Sequence, residues 1–159
     1  MPGKNGKGKQ VISFSFVCIV ASLIFTADFF IKRYFLLHHS SDSIPVIKNI
    51  LYLTVVFNKG AAFGILKGQT SLLIYTGIIF LLVFLFTIMN EQRKNIFFLI
   101  ACGLIIGGAF SNLYDRLFLG FVVDYIDVRV WPVFNLSDSA ISVGAFFLLL
   151  NEFKKPKKI

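Results

Sequence analysis

Four apolar stretches, each about 20 residues long, constrain the fold of this chain more than any other feature of its sequence. They run from about residue 11 to 31, 71 to 89, 96 to 113 and 135 to 153. A helix needs about 20 apolar residues to cross a hydrocarbon core of roughly 30 Å. The sequence therefore predicts a mainly α membrane protein, with four transmembrane helices in one membrane-embedded domain over residues 11–153.

The composition also favours lipid surroundings. Hydrophobic residues make up 57% of the chain and charged residues 15%, whereas soluble proteins are about 45–50% apolar and about 25% charged. The net charge of +8 is concentrated at the two termini, without a basic groove interleaved with aromatic residues. We therefore expect membrane lipid, and no nucleic acid, as a partner.

The first stretch could be a cleaved signal peptide, since Lys4, Lys7 and Lys9 form a basic region before it. Its apolar run exceeds the usual length of about 7–15 residues, and no Ala-x-Ala-like site follows it. Three further spans also favour a retained helix. The Gly- and Lys-rich residues 1–10 are expected to be disordered.

Lysine and arginine are unequally distributed between the two sides that the spans define. Nine of the 16 basic residues lie in three short segments, before the first span, between the second and third, and after the fourth. Cytoplasmic segments are enriched in these residues. Both termini, including the basic tail 154–159, are therefore predicted to be cytoplasmic, and the two long loops to face outward.

Both outward loops contain segments typical of β-strands. Residues 50–57 and 121–131 are rich in β-branched and aromatic residues, and they end at a turn signal, Asn58-Lys59-Gly60, and at Pro132. We predict a small β-sheet on the outer membrane face.

Ionisable side chains are costly in or beside a bilayer, which makes three carboxylates candidates for function. Asp28 and Lys32 share a helix face, where they could form a helix-end ion pair or support a nearby site. An extended chain over 121–131 would place Asp124 on an apolar face, which raises a carboxyl pKa. Asp127 and Arg129 would then face water. The alternative for Asp124 is a salt bridge to Arg116.

Asp138 is the third carboxylate. Asn135-Leu136-Ser137-Asp138 resembles a capping box, in which the aspartate satisfies backbone N–H groups. Asp124 and Asp138 could also meet and share one proton, one ionised as a general base and the other polarising a carbonyl. This aspartyl protease chemistry needs no metal and no cofactor. The adjacent His38 and His39 have no metal-binding spacing, and Cys18 and Cys102 are taken as packing residues.

The third helix carries two stripes at four-residue spacing. Small residues at 103, 107 and 111 predict close helix packing. The neighbouring stripe ends near the expected site and consists of Gly108, Asn112 and Arg116. Arg116 is the better functional candidate, because an arginine beside two aspartates can bias their shared proton.

Motifs along nearly the whole chain resemble the lipoprotein signal peptidases (signal peptidase II) of bacterial inner membranes. They occur in the family's order, as Asp28-x-x-x-Lys32, Asn58–Gly64, Gly107–Arg116, Gly120–Tyr125 and Pro132–Ile141. Two positions depart from the family pattern, Ser111 for the usual Gly and Ser137 for the usual Ala. Ser137 could donate a hydrogen bond to the aspartate that follows it.

The resemblance implies an enzyme that cuts prolipoproteins just before a diacylglyceryl-modified cysteine. It implies Asp124 and Asp138 as the catalytic pair and inhibition by globomycin. We expect the protein to be a monomer. Support for the site or substrate is expected from Asp28, Lys32, Asn58, Gly108, Asn112, Arg116 and Asn135. A small proton-coupled transporter and a non-enzymatic assembly factor are the alternatives, although neither repeated halves nor broken helices are evident.

Overall fold

The computed structural model describes residues 4–40, 43–61, 65–91 and 95–153, with the backbone alone for residues 4–13. Its helices are α1 (Lys4–His38), α2 (Thr70–Asn90), α3 (Ile96–Leu119) and α4 (Leu136–Phe153). Its strands are β1 (Ser43–Ile47), β2 (Leu51–Asn58) and β3 (Val122–Asp127). The predicted mainly α fold with a small sheet is confirmed.

All four helices are long and apolar enough to cross a membrane, with the candidate span of α1 beginning at Phe14. Large apolar side chains such as Leu23, Tyr75 and Phe86 lie exposed on the outer surface of the bundle. Such an extensive exposed apolar surface is unfavourable in water and suits contact with lipid chains.

α3 is the central helix. In its most apolar segment 61% of the residues are buried, compared with 11% in the corresponding segments of α1 and α2. Glycines allow its close packing, as the small-residue stripe predicted. A Cβ added to Gly107 would lie 2.5 Å from the backbone oxygen of Ala21 in α1. A Cβ added to Gly108 would lie 2.5 Å from the backbone oxygen of Ser137 in α4. The backbones of α1 and α4 therefore approach α3 closely on two sides.

Two helices are longer than the sequence predicted. α1 extends from Lys4, within the segment expected to be disordered, to His38. Charged residues can continue a helix when they are partnered, and Lys32 forms an ion pair with Asp28 inside the bundle. α3 continues past the predicted end to Leu119, because its polar residues also find partners, and it stops at Gly120 in the left-handed conformation (φ 79°).

The three strands form one antiparallel sheet in the order β1-β2-β3, beside the ends of α1 and α3. Val56 of β2 pairs with Asp124 of β3, and Asn58 pairs with Val122. β1 was not predicted, because it is short and contains Pro45. Proline is tolerated there because β1 is an edge strand.

β3 ends at Asp127, earlier than the predicted end at residue 131. Arg129 adopts a left-handed conformation (φ 65°) and turns the chain back, and Phe134 then bonds to Ile126 through two backbone hydrogen bonds of 2.7 and 3.1 Å. The prediction that Asp127 faces water is wrong. The residue is buried, with 8% of its surface exposed, and its Oδ1 accepts a hydrogen bond from the Arg129 backbone N–H.

Candidate active site

A cavity of about 700 Å³ lies where the sheet meets the helices. Its lining comes from β2 and the loop after it, from α3, from β3 and the segment after it, and from α4. It brings together five residues that the sequence analysis singled out, namely Asn58, Asn112, Arg116, Asp124 and Asp138.

Asp124 is held in this cavity by two asparagine side chains. Its carboxylate accepts a hydrogen bond of 2.9 Å from Asn58 Nδ2 and one of 2.7 Å from Asn135 Nδ2. The Asn58 amide is itself oriented, because its Oδ1 accepts the backbone N–H of Gly60 at 2.9 Å. Asp124 is 1% exposed, so its position is tightly defined.

Asp138 lies in the first turn of α4, where the expected capping box is present. The Asp138 backbone N donates to Asn135 Oδ1 at 2.8 Å, and the Asn135 backbone N donates to Asp138 Oδ2 at 3.3 Å. Asp138 Oδ1 also accepts a bond of 2.7 Å from Asn112 Nδ2. Asp138 therefore takes part in the cap through Oδ2, while its Oδ1 is bonded to a residue of α3.

Asn135 contacts both carboxylates through different groups. Its side-chain Nδ2 donates to Asp124 Oδ1 and its backbone N–H donates to Asp138 Oδ2, while its side-chain Oδ1 accepts the Asp138 backbone N–H. It is fully buried, and its Nδ2 also contacts Asn112 Oδ1 at 3.1 Å. One amide group therefore sets the placement of β3 and α4 relative to each other at the site.

The electrostatics of the cavity favour a proton on Asp124. Burial, followed by the negative charge of Asp138, raises the pKa of Asp124 from 3.8 to about 7. The hydrogen bonds from Asn58 and Asn135 and the charge of Lys32 oppose this rise. A carboxyl group with a pKa near 7 can exchange protons near neutral pH, as acid–base chemistry requires.

Arg116 attaches the loop after β2 to the central helix. Its Nη2 donates to the Gly60 carbonyl at 3.0 Å, and its Nη1 donates to the Asn112 carbonyl at 3.3 Å. Gly108, by contrast, lies outside the cavity lining and packs beneath the start of α4. Residues 62–64 of the predicted Asn58–Gly64 motif lie outside the described residues.

Asp28 and Lys32 form a buried ion pair of 2.7 Å behind the cavity. Lys32 Nζ also lies 2.9 Å from Asp115 Oδ2 and donates to Asn112 Oδ1 at 3.0 Å. The bond to Asn112 sets the orientation of the amide whose nitrogen contacts Asp138. The two alternatives for Asp28 and Lys32, a helix-end ion pair and support for a nearby site, are therefore compatible, because the ion-paired lysine also contacts a residue of the cavity.

Ser137 does not donate to the aspartate that follows it, contrary to one expectation. Its Oγ donates instead to Asp28 Oδ2 at 2.6 Å, because the first turn of α4 directs this side chain toward α1. Ser111 of α3 donates to the same oxygen, also at 2.6 Å.

Two residues of this network were missed in the sequence. Asp115 accepts the Val123 backbone N–H at 3.2 Å in addition to pairing with Lys32. Its place four residues after Ser111 on a largely apolar helix could have revealed it. Tyr125 donates to Asp28 Oδ1 and accepts the Leu136 backbone N–H, both at 3.1 Å. Nothing in the sequence pattern signalled that role.

The chemistry available in this cavity is that of two carboxylates, their amide donors and an arginine. Within the described ranges of the chain, no group of three or more histidine, cysteine, aspartate or glutamate side chains is arranged to hold a metal ion.

The chain is similar to known proteins over most of its length. A family model described as signal peptidase (SPase) II matches residues 20–154. The lipoprotein signal peptidase of Halothermothrix orenii is 46% identical over 117 residues, which cover 74% of this chain and 80% of that protein. The lipoprotein signal peptidase of Syntrophus aciditrophicus is 34% identical over 155 residues, with coverage of 88% and 93%.

A solved structure described as a bacterial membrane enzyme, determined by the in meso method at 2.3 Å resolution, has the same fold. It is 29% identical, with a TM-score of 0.80, over 90% of this chain and 93% of that chain. Together with the four apolar helices, this likeness identifies a multi-pass membrane protein. The matches include the whole segment that carries Asp28, Asn135 and both cavity carboxylates. The chain therefore belongs to the signal peptidase II family.

Proposed function

We propose that this chain is an aspartyl endopeptidase that removes signal peptides from diacylglyceryl-modified prolipoproteins, cutting just before the lipidated cysteine. One observation carries the proposal of an aspartyl mechanism. Asn135 donates to the Asp124 carboxylate through its side-chain Nδ2 and to the Asp138 carboxylate through its backbone N–H, so one residue holds both carboxylates in the same cavity. Paired carboxylates that share a proton can activate water and a peptide carbonyl at once.

In this mechanism Asp124 carries the shared proton and Asp138 is ionised. The amide of Asn112 and the positive end of the α4 dipole favour negative charge on Asp138. Asp138 takes a proton from water as the water oxygen attacks the scissile carbonyl carbon, and Asp124 donates its proton to the carbonyl oxygen. The carbon–nitrogen bond then breaks. Asp138 passes its proton to the leaving nitrogen, and the new carboxyl group returns a proton to Asp124.

The shape of the cavity supports a membrane-bound substrate. Ile141 and Ser142 line it one turn beyond Asp138 along α4, so the cavity continues from the sheet into the helical bundle. A signal peptide can lie beside these helices while the acyl chains of the cysteine remain in lipid. The segment after Asn58, held by Arg116, would cover the peptide and limit access of bulk water.

We further propose that the enzyme lies in the bacterial inner membrane, with both termini cytoplasmic and the sheet on the outer face. The distribution of lysine and arginine supports this orientation. A reporter enzyme fused after Ile159 tests it. Activity of a cytoplasm-specific reporter is expected, and activity of a periplasm-specific reporter would place the cavity on the wrong side.

The substrate proposal is tested with purified protein in detergent and one prolipoprotein prepared with and without the diacylglyceryl group. Only the lipidated form is expected to be cut, and mass spectrometry should find the lipidated cysteine at the new N-terminus. Globomycin should block the reaction, and the active species should be a monomer by light scattering. Equal cleavage of both forms, or a cut elsewhere, would contradict the assigned substrate.

A further inference from the structure

One carboxylate oxygen joins three helices behind the cavity. Asp28 Oδ2, on α1, accepts hydrogen bonds of 2.6 Å from Ser111 of α3 and of 2.6 Å from Ser137 of α4. Lys32 Nζ lies 2.7 Å from the same oxygen. Both serines are buried, at 2% and 0% exposure.

Each serine directly precedes a residue of the cavity. Ser111 is followed by Asn112, and Ser137 is followed by Asp138. Asn112 Nδ2 donates to Asp138 Oδ1 at 2.7 Å, across the interface between α3 and α4. Asp28 therefore links α3 and α4 through Ser111 and Ser137, the residues that directly precede Asn112 and Asp138.

Neither serine belongs to the lining of the cavity, so neither would touch the substrate. Their hydrogen bonds are of a strong kind, because a bond to an ionised carboxylate is about twice as strong as one between neutral groups. Two such bonds to a buried oxygen restrict the rotation and translation of α3 against α4. The effect of the serines on chemistry must then pass through Asn112 and Asp138.

We propose that Ser111 and Ser137 are positioning residues, which act through Asp28 to hold Asn112 and Asp138 in the geometry that cleavage requires. This inference rests on the proposed function of Asp138. It differs from a purely structural role, because it ties both serines to the rate of the bond-breaking step.

The test measures kcat, KM and detergent thermal stability for Ser111→Ala, Ser137→Ala and the double variant. Each single change should lower kcat about tenfold, because small displacements of reacting groups are costly, with KM within about twofold of wild type. The double variant should be little slower than either single one, since loss of either end breaks the same bridge. Ser139→Ala is the matched control and should retain wild-type kcat, because within the described residues the hydroxyl of Ser139 bonds only to the Asn135 carbonyl of its own helix turn.

A second cycle adds Ser137→Ala to Asn112→Ala. If the serine acts through the Asn112–Asp138 contact, it should lower kcat much less in this background than in wild type. The inference is overturned if the serine variants match Ser139→Ala, if the effects of Ser111→Ala and Ser137→Ala multiply, or if only KM changes. An Asp138→Asn variant that still cleaves would instead overturn the proposed function, so the two failures are distinguishable.

Discussion

Asn135 donates a hydrogen bond from Nδ2 to Oδ1 of Asp124 at 2.7 Å. The other atom of the same amide, Oδ1, accepts the backbone N–H of Asp138 and so caps α4. Asn135 is therefore both the cap of α4 and a hydrogen-bond donor to the Asp124 carboxylate. These two functions of the side chain can be separated by substitution.

Asn135→Ser should keep the cap and lose the bond to Asp124, whereas Asn135→Ala should lose both. We expect both variants to lower kcat/KM by up to about tenfold, since Asp124 is protonated in the active form and a hydrogen bond to a neutral group contributes about 0.5–1.5 kcal/mol. Asn135→Ala should be about 1 kcal/mol less stable than Asn135→Ser in detergent unfolding, because it also loses the cap. Wild-type cleavage by Asn135→Ser would show that its bond to Asp124 is dispensable.

Much of the fold was predictable because it follows from local patterns. The four helices follow from apolar runs that only a membrane accommodates, and β2 follows from β-branched residues ending at Asn58. The missed features depend on distant partners. β1 exists because it pairs with β2. The last turns of α3 persist because Asp115 finds Lys32, which is 83 positions earlier in the chain.

The candidate site also combines features set by local sequence patterns with features that depend on distant partners. The capping box of Asn135 and Asp138 is local, and its spacing was enough to predict it. The burial of Asp127 could not be predicted, because it depends on the left-handed turn at Arg129. The partner of Ser137 was also beyond the sequence pattern, since the crossing of α1 and α4 decides which carboxylate the hydroxyl meets.

The rate of cleavage should depend on pH through Asp124. Its raised pKa of about 7 means that the protonated form needed for carbonyl activation is lost as pH rises through this value. We expect kcat/KM to fall above about pH 7, by about tenfold per pH unit. A profile that is flat between pH 6 and pH 9 would contradict this assignment.

Asn58→Ala should move that alkaline limb to higher pH. The amide of Asn58 stabilises ionised Asp124, so its removal makes the carboxyl group hold its proton more tightly. Thr54→Ala serves as a control on the same strand, because the Thr54 hydroxyl bonds to Ser43 instead. Measuring kcat/KM for both variants across the same pH range shows the pH at which each of them loses activity. A downward shift with Asn58→Ala would be inconsistent with the electrostatic account.

Lys32→Met should strongly destabilise the protein. Lys32 is buried between Asp28 and Asp115, and its loss would leave two buried carboxylates without their shared cation. Breaking such a buried pair costs about 3–5 kcal/mol. Thermal unfolding in detergent measures the effect, with the exposed Lys48→Met as the control. Equal stability of the two variants would show that the buried cluster is not a structural requirement.

Gly108→Ala should displace α4 and impair both folding and cleavage. The new methyl group would lie 2.5 Å from the Ser137 carbonyl oxygen, and such overpacking costs about 1–3 kcal/mol. Gly77→Ala is the matched control, since its nearest neighbour would be the Leu113 side chain at 3.5 Å. Normal folded yield and activity for Gly108→Ala would mean that the α3–α4 contact can relax without cost to the site.

The central claim is the shared role of two aspartates, and cleavage of a lipidated prolipoprotein by Asp124→Asn and Asp138→Asn tests it most directly. Asp127→Asn provides the control, because Asp127 is also buried on β3 but contacts Arg129 instead of the cavity. All three variants should elute as folded protein in size-exclusion chromatography. The account predicts that only Asp127→Asn retains cleavage. Near-wild-type cleavage by folded Asp124→Asn or folded Asp138→Asn would contradict it.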